Sequence, residues 1–298
     1  MINFLLAMIA AGTPLLFGTV GEILTEKTGH LNLGVEGIMA MGACAGFMVG
    51  YATDNFLLAL ICAFLAGAGM AFIYALLTVT LMANQNVIGL TMTIFGVGLS
   101  NFIGFFVLNK SSENSLKLPE QITESMRFSV GGINIFTYIA IAIAIILFIY
   151  TKSTMNGLNL KAIGENPDAA NAAGIHVNGI KYLAIALGGG ICGLGGVYCA
   201  FIINGGVWTS NGIAGLGWIS VALVIFASWN FLGAIVGSMF FGALRILKYY
   251  IPTGIFPLAF YDMLPFLVTA IILIVASMRK KGHTAMPQNL GNNYKKSS

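Results

Sequence analysis

Three acidic residues fall inside apolar stretches of this 298-residue chain: Glu22, Glu36 and Asp262. A carboxylate facing lipid at the bilayer centre costs about 2.5–3.5 kcal/mol, so such groups face protein or an aqueous path. Carriers driven by protons or sodium keep acidic groups near the midplane to bind the coupling ion. Glu22 instead lies near the end of the first apolar stretch, Glu36 a few residues into the second, and Asp262 near an end of the last. For Glu22 and Glu36, pairing with Lys27 or with helix N-termini suits these positions better than ion coupling. Hydrolytic chemistry has no residues to run on. There is no Gly-x-x-x-x-Gly-Lys-Ser/Thr phosphate loop, no His-Glu-x-x-His and no Gly-x-Ser-x-Gly, and His30, His176 and His283 are scattered in polar segments. Cys44, Cys62, Cys192 and Cys199 all sit in apolar stretches without His or acidic companions at ligand spacing. They read as buried packing, so neither a metal centre nor a disulfide framework is expected. The chain is read as a non-enzyme with no catalytic or metal-binding residue.

Another kind of chemistry, the seating of one protein surface on another, is written between Lys152 and Lys181. At the centre of this polar insert runs Ala162-Ile-Gly-Glu-Asn-Pro-Asp-Ala-Ala-Asn-Ala-Ala-Gly-Ile175. Asn166 is a helix N-cap, Pro167 suits the first helical position, and Asp168 complements the positive end of the helix dipole. The alanines favour helix, and Gly174 supplies a left-handed stop. Such a stub spans roughly 10 Å, too short to be stable alone, and needs a partner surface.

The elements that must position these residues are written for lipid. The chain is 58% hydrophobic and 8% charged, with a mean hydropathy of +0.90. Soluble domains carry about 25% charged residues, so the expected fold is an all-α, polytopic transmembrane helical bundle. Its 38 glycines suit membrane helices whose backbones approach closely. Apolar segments of spanning length run over approximately 3–24, 33–51, 57–82, 87–108, 134–151, 182–203, 212–229, 232–250 and 258–278. The Gly-rich second segment, and the short seventh behind Asn204–Gly217, are candidates for broken or re-entrant helices, giving nine to ten spans. The first segment lacks a basic flank and a cleavage site and reads as a retained span. Residues 1–278 then form the transmembrane domain, with the loop 152–181 projecting from it, and 279–298 a disordered tail. Lys27, Lys152, Lys161 and Lys181 with Arg279, Lys280, Lys281, Lys295 and Lys296 put that loop and the tail in the cytoplasm. The N-terminus then lies outside, where Asn109–Asn134 forms a polar connector. The net charge of +4 is spread beside membrane segments and marks no nucleic-acid surface.

These segments together resemble the membrane permease subunits of ATP-binding-cassette importers, in the ribose/nucleoside/branched-chain amino-acid permease family. Gly21-Glu-Ile-Leu-Thr-Glu-Lys-Thr-Gly-His-Leu-Asn-Leu-Gly-Val-Glu-Gly37 is similar to the family's junction of the first two spans, in the form found in its simple-sugar and nucleoside branch. The insert resembles the family's coupling loop, matched at Gly164, Asn166, Ala169, Ala170, Gly174 and Ile175. Gly217–Ala234 with Phe241-Gly-Ala-Leu is similar to its C-terminal segment, with Phe231 where a proline is expected. The resemblance covers nearly the whole chain.

It implies a multi-pass permease of the bacterial cytoplasmic membrane that pairs with a second, homologous permease as a heterodimer. A separate ATP-binding-cassette subunit would hold ATP and Mg, an extracytoplasmic binding protein would deliver substrate, and this chain would bind no cofactor. ATPase coupling falls on the matched residues and on Glu165, Pro167 and Asp168 between them. Nucleosides are the first expected substrate, simple sugars such as ribose or galactose the alternative, and ion-coupled secondary transport the remaining class. Polar or aromatic groups at depth are the pathway candidates: Asn84, Gln85, Asn86, Thr91, Thr93 and Phe95, then Asn101, Asn204 and Trp208. Sugar hydroxyls need amide partners and a base needs an aromatic face. The same Asn and Thr side chains also bridge helices, and Phe95 also packs against lipid or protein, so both roles stay open here.

Overall fold

The computed structural model describes residues 2–111, 115–126, 128–250, 258–278 and 286–294. Arg127, His283 and the basic tail residues Arg279, Lys280, Lys281, Lys295 and Lys296 lie outside them, as does the side chain of Asp262. The chain opens with α1 (Ile2–Glu26), in which Pro14 removes one backbone donor in the middle of the span. The Thr13 hydroxyl bonds back to the Ile9 carbonyl at 2.8 Å and lies 2.7 Å from the hydroxyl of Thr137. Next come α2 (Val35–Thr53), stopped by Asp54 in the left-handed conformation, and α3 (Phe56–Ala75), which runs on through a π-helical turn at Leu76–Thr80. The long α4 (Gln85–Ser111) leads to α5 (Glu120–Met126) and to a two-residue antiparallel ribbon, β1 (Ser129–Val130) with β2 (Ile133–Asn134). After α6 (Ile135–Ser153), the polar insert folds as α7 (Met155–Glu165) and α8 (Pro167–Ala172). Then follow α9 (Val177–Tyr198), prolonged by a π-helical turn at Cys199–Ile203, and the short α10 (Leu216–Phe226). The chain continues through α11 (Phe231–Ile246), extended by a 3-10 turn at Leu247–Tyr249, and α12 (Leu258–Met278).

Seven described helices are long and apolar enough to cross a membrane: α1, α2, α3, α4, α6, α9 and α11, with their π- and 3-10-helical extensions. The all-α bundle expected from composition is present, while the expected nine to ten spans exceed the seven that meet this standard. One part of the difference has a local cause in α10. Its 11 residues rise only ~16 Å, about half of a hydrocarbon core. The chain before it, 204–215, takes left-handed conformations at Gly205, Gly206, Asn211, Ala214 and Gly215, and so cannot extend the helix. The seventh segment is therefore a broken one. The second is not. The Gly-rich α2 is a continuous helix of 19 residues because its glycines are used for packing: an added Cβ at Gly37, Gly42 or Gly46 would collide with α4 or α9.

The buried centre of the bundle is α9, wedged among α1, α2 and α3. Gly188 lies against Gly21 of α1, Gly196 against the backbone of Met39 in α2, and Gly193 against Ala63 and Gly67 of α3 and Gly42 of α2. With no side chains between them, the backbones meet directly, and van der Waals contact replaces a hydrophobic force that lipid cannot supply.

The tail departs from the expected disorder within its described part. Residues 286–294 pack on the end of the bundle that carries α7 and α8, with Pro287 and Tyr294 buried. Among the hydrogen bonds that fix the stretch there are Asn289 N–H to the Gly164 carbonyl (2.9 Å), Gly291 N–H to the Gly29 carbonyl (3.1 Å), and Gln85 Nε2–H to Asn293 Oδ1 (2.9 Å). Composition marks this stretch as polar, but its apolar anchors recur often enough to hold it down.

Replacing Gly193 by Leu is expected to force α3 and α2 away from α9 and lower the thermal midpoint of the detergent-solubilised protein by about 3–10 °C. The control Gly69→Leu, where an added Cβ meets nothing within 4 Å, should change stability by less than about 0.5 kcal/mol.

Candidate functional site

A cavity of about 240 Å³ opens between α2, α4 and the chain joining α9 to α10. Its polar lining comes from Glu36, Ser100, Asn101, Asn204, Thr209 and Asn211, and Trp208 adds an aromatic wall. The joining chain is held in place by reciprocal bonds. Asn101 Nδ2–H donates to Asn211 Oδ1 at 2.7 Å, and the Asn211 backbone N–H returns a bond to Asn101 Oδ1 at 3.0 Å. Asn211 has a left-handed backbone, which asparagine tolerates better than most residues. Trp208 donates its backbone N–H to the Leu116 carbonyl (3.0 Å), leans on Phe47 with ring centroids 5.3 Å apart, and fits only because Gly104 has no side chain. Its buried indole N–H has no hydrogen-bond partner among the described residues.

Glu36 closes this site from below. Its Oε1 accepts from Gly215 N–H at 2.8 Å and its Oε2 from Gly217 N–H at 2.6 Å. The carboxylate therefore sits on the positive end of α10 and satisfies donors that a buried helix start leaves unpaired. Gly217 lies so close to the Glu36 backbone that no other residue fits. Pairing with a helix N-terminus is thus the arrangement found for Glu36. Among the described residues the lining offers amides, hydroxyls, the Glu36 carboxylate and a ring face but no lysine or arginine.

Three of the nine pathway candidates, Asn101, Asn204 and Trp208, line the cavity; the other six lie elsewhere. Asn84 caps α4, its Oδ1 accepting from Asn86 N–H (3.0 Å) and Val87 N–H (3.1 Å). Gln85 is buried and accepts from Leu31 N–H at 2.9 Å. Thr93 donates to the Leu33 carbonyl and Thr91 to the Val87 carbonyl, each at 2.8 Å. Asn86 is exposed, and Phe95 is half exposed on the outer face of α4. Ser100, Thr209 and Asn211 were not singled out from the sequence. Asn211-Gly212, a turn dipeptide, was the available signal.

The other end of the bundle carries a second polar constellation. Glu22 Oε1 accepts from Asn32 N–H at 3.0 Å, and Glu26, one helical turn on, accepts from the indole N–H of Trp229. Lys27, the partner also considered for the acidic groups, instead places its ammonium 5.7 Å from the centre of the Phe231 ring. Burial, joined by the charge of Lys161, pulls its pKa down to about 8, with Glu165 opposing. His30 is buried, and burial followed by the charge of Lys181 pushes it down to about 3, so it is neutral at physiological pH.

Beside this constellation stand α7 and α8. Thr154 caps α7, its hydroxyl accepting from Gly157 N–H at 3.0 Å. Gly164 packs on the Lys27 carbonyl, where any side chain would collide. Asn166 Oδ1 accepts from Ala169 N–H at 3.0 Å, and Pro167 occupies the first position of α8. The helix ends with Gly174 at φ +83°, Gly174 N–H bonding to the Asn171 carbonyl and Ile175 N–H to the Ala170 carbonyl, both at 3.0 Å. These are the two closing bonds of a Schellman motif. Ala170 turns inward onto Ile163, Val177 and Tyr294, whereas Glu165, Asp168 and Ala169 stay exposed. The six-residue α8 is therefore held by its own caps and by a small apolar cluster.

A helical bundle with a polar cavity toward one end and a capped helix displayed at the other is the architecture of a membrane permease. The chain belongs to the family described as branched-chain amino acid transport system / permease component, whose model matches residues 4–275. It is 33% identical, over 81% of its length and 75% of the relative's, to a putative glucose ABC transporter permease of Haloferax volcanii. It is 32% identical to a nucleoside ABC transporter permease of Lactococcus lactis, over 97% and 96% of the two chains. A guanosine ABC transporter permease of Bacillus subtilis is 28% identical over 90% and 89%. Among solved structures, an inward-facing putative metal-chelate type ABC transporter shares the fold, with a TM-score of 0.52 and 14% identity over 93% of this chain and 87% of that one.

Glu36→Gln places an amide N–H against the donors at the start of α10 and should lower stability by about 1–3 kcal/mol. Thermal denaturation of the solubilised protein reads this directly. Glu36→Asp, which keeps the charge but shortens the reach, is expected to fall between the two.

Proposed function

We propose that this chain is the membrane-spanning subunit of an ATP-driven importer for nucleosides. The observation that carries the reading is α8: a six-residue helix, doubly capped, whose exposed alanines and Asp168 form a shallow face that the described residues leave uncovered. Such a face fits a groove on a partner, and its capped ends make it stiff enough to transmit a push. In this reading Gly164, Glu165, Asn166, Pro167, Asp168, Ala169, Ala170, Gly174 and Ile175 form the seat of a cytoplasmic ATP-binding-cassette subunit, which holds ATP and Mg. That end of the bundle then faces the cytoplasm, in agreement with Lys27, Lys152 and Lys161 around one recess there. Counting α10 with its joining chain as one broken crossing and α12 as another gives nine crossings and an outer N-terminus. The membrane is the bacterial cytoplasmic membrane. A second, homologous permease completes the pathway, and an extracytoplasmic binding protein supplies it.

The cavity supports the substrate class. Amides at Asn101, Asn204 and Asn211 suit ribose hydroxyls, and Trp208 offers a ring face to a base. The similarity to nucleoside and guanosine permeases over nine-tenths of the chain or more points the same way. Simple sugars are the second reading, favoured by the 33% identity to a putative glucose permease; they need the amides but not the ring.

Uptake of radiolabelled guanosine and glucose by cells carrying the complete transporter separates the two substrates. Asn101→Ala should reduce uptake of the true substrate about tenfold, the loss of one to two net hydrogen bonds. Ala170→Glu and Gly164→Trp are expected to abolish uptake and capture of the ATPase while membrane insertion stays normal. Survival of uptake in both would remove α8 from the coupling role.

A further inference from the structure

The segment 286–294 does more than cover the loop end; it joins two parts of the bundle that the fold otherwise brings together only through other helices. On one side it grips the α7–α8 unit. Asn289 N–H donates to the Gly164 carbonyl at 2.9 Å, Gln288 N–H reaches Glu165 Oε2 at 3.4 Å, and Tyr294 is part of the apolar cluster under Ala170. On the other side it grips the loop-end start of α4. Asn293 Nδ2–H donates to the carbonyls of Met82 (2.6 Å) and Ala83 (3.0 Å), and its Oδ1 accepts from Gln85 (2.9 Å). Between them, Gly291 N–H bonds to the Gly29 carbonyl at 3.1 Å, and the Tyr294 ring lies 5.5 Å from the Lys181 ammonium at the base of α9.

The carbonyls that Asn293 takes are special ones. They belong to the chain leaving the π-helical turn at Leu76–Thr80, where Met82 is left-handed at φ +52° and the regular ladder has ended. A side-chain amide from the tail satisfies acceptors that the helix no longer can. Gln85, whose amide completes the set, is buried and also accepts from Leu31 N–H. Beyond its midpoint the same α4 carries Ser100 and Asn101 into the cavity. A rigid helix pinned at its start to the α7–α8 unit moves when that unit moves.

We propose that residues 286–294, with Asn293 as the hub, are a positioning tie that links the coupling helices to the start of α4 and so to the cavity wall. The proposal rests on the reading of α8 as the place where the ATPase pushes. Displacement of α7 and α8 is then passed along two routes, the covalent one through α6 and α9 and the tie to α4. Asn293 touches no substrate in this scheme; it keeps two moving parts in register.

Two measurements test the tie separately from the reading beneath it. The first needs no ATPase: hydrogen exchange of the purified permease. Asn293→Ala, and separately a chain ending at 285, should raise exchange at 82–88 by about tenfold, as the loss of one to two net hydrogen bonds predicts, while the far half of α4 stays protected. Unchanged protection at 82–88 in both variants overturns the tie. The second uses the complete transporter in proteoliposomes with guanosine and glucose as probes. Asn293→Ala should retain ATPase capture and ATP hydrolysis but move about tenfold less substrate per ATP. Asn293→Gln, which keeps both donor and acceptor, should recover part of it. A parallel fall of hydrolysis and uptake, or a rise in uptake, would overturn the positioning role. If Ala170→Glu leaves uptake intact while the exchange result holds, the tie stands and the reading of α8 falls.

Discussion

How closely α9 can approach its neighbours is the constraint on which the rest of this bundle depends. Lipid gives helices no hydrophobic reason to associate, so contact must come from dispersion forces, which fall away within an ångström or so of separation. Gly188, Gly193 and Gly196 let α9 sit backbone to backbone against α1, α2 and α3. That closeness fixes the height of α2 beside α9, and α2 carries Glu36 to the level where α10 begins. The half-helix can start in the middle of the bundle only because a carboxylate waits there for its free N–H groups. Cavity, half-helix and glycine seam are thus one arrangement seen at three places.

Much of the fold was written in local signals. Long apolar runs, glycine content and the basic flanks of the insert are properties of neighbouring residues, and lipid enforces them strongly. The α8 helix was legible to the residue because cap, proline, alanines and stop all act within one turn: Asn166, Pro167 and Gly174 each do what their chemistry favours. The preceding α7 was missed because Thr154 and Gly157 give a weaker start signal inside a polar stretch. Gly-rich α2 looked breakable, and its continuity depends on α9 lying where the glycines are, which no window of sequence contains.

The cavity shows where residue type stops being informative. Amides near a helix start read equally well as ligands and as caps. Asn84 turned out to cap α4, Gln85 to hold the α1–α2 turn, and Asn101 to reach the cavity. Depth separates them, and depth is a tertiary quantity. Asn211 lies in the Gly/Asn-rich stretch before the broken segment, and its value comes from a partner 110 residues away in the chain. Within 286–294, Pro287, Leu290 and Tyr294 become anchors for the same reason, only when the surface they meet is known.

The chain between α9 and α10 differs in kind from the seams around it. At the seams, a single added carbon collides with backbone, so those positions are frozen. Along 204–215 the side chains of Thr209 and Asn211 are exposed, and the backbone is shaped by turns rather than by helix contact. Side chains in that stretch can therefore be exchanged without touching the buried glycines of the seams. In the proposed importer, loop side chains such as Thr209 are the part of the cavity lining that can change while the buried glycines stay as they are.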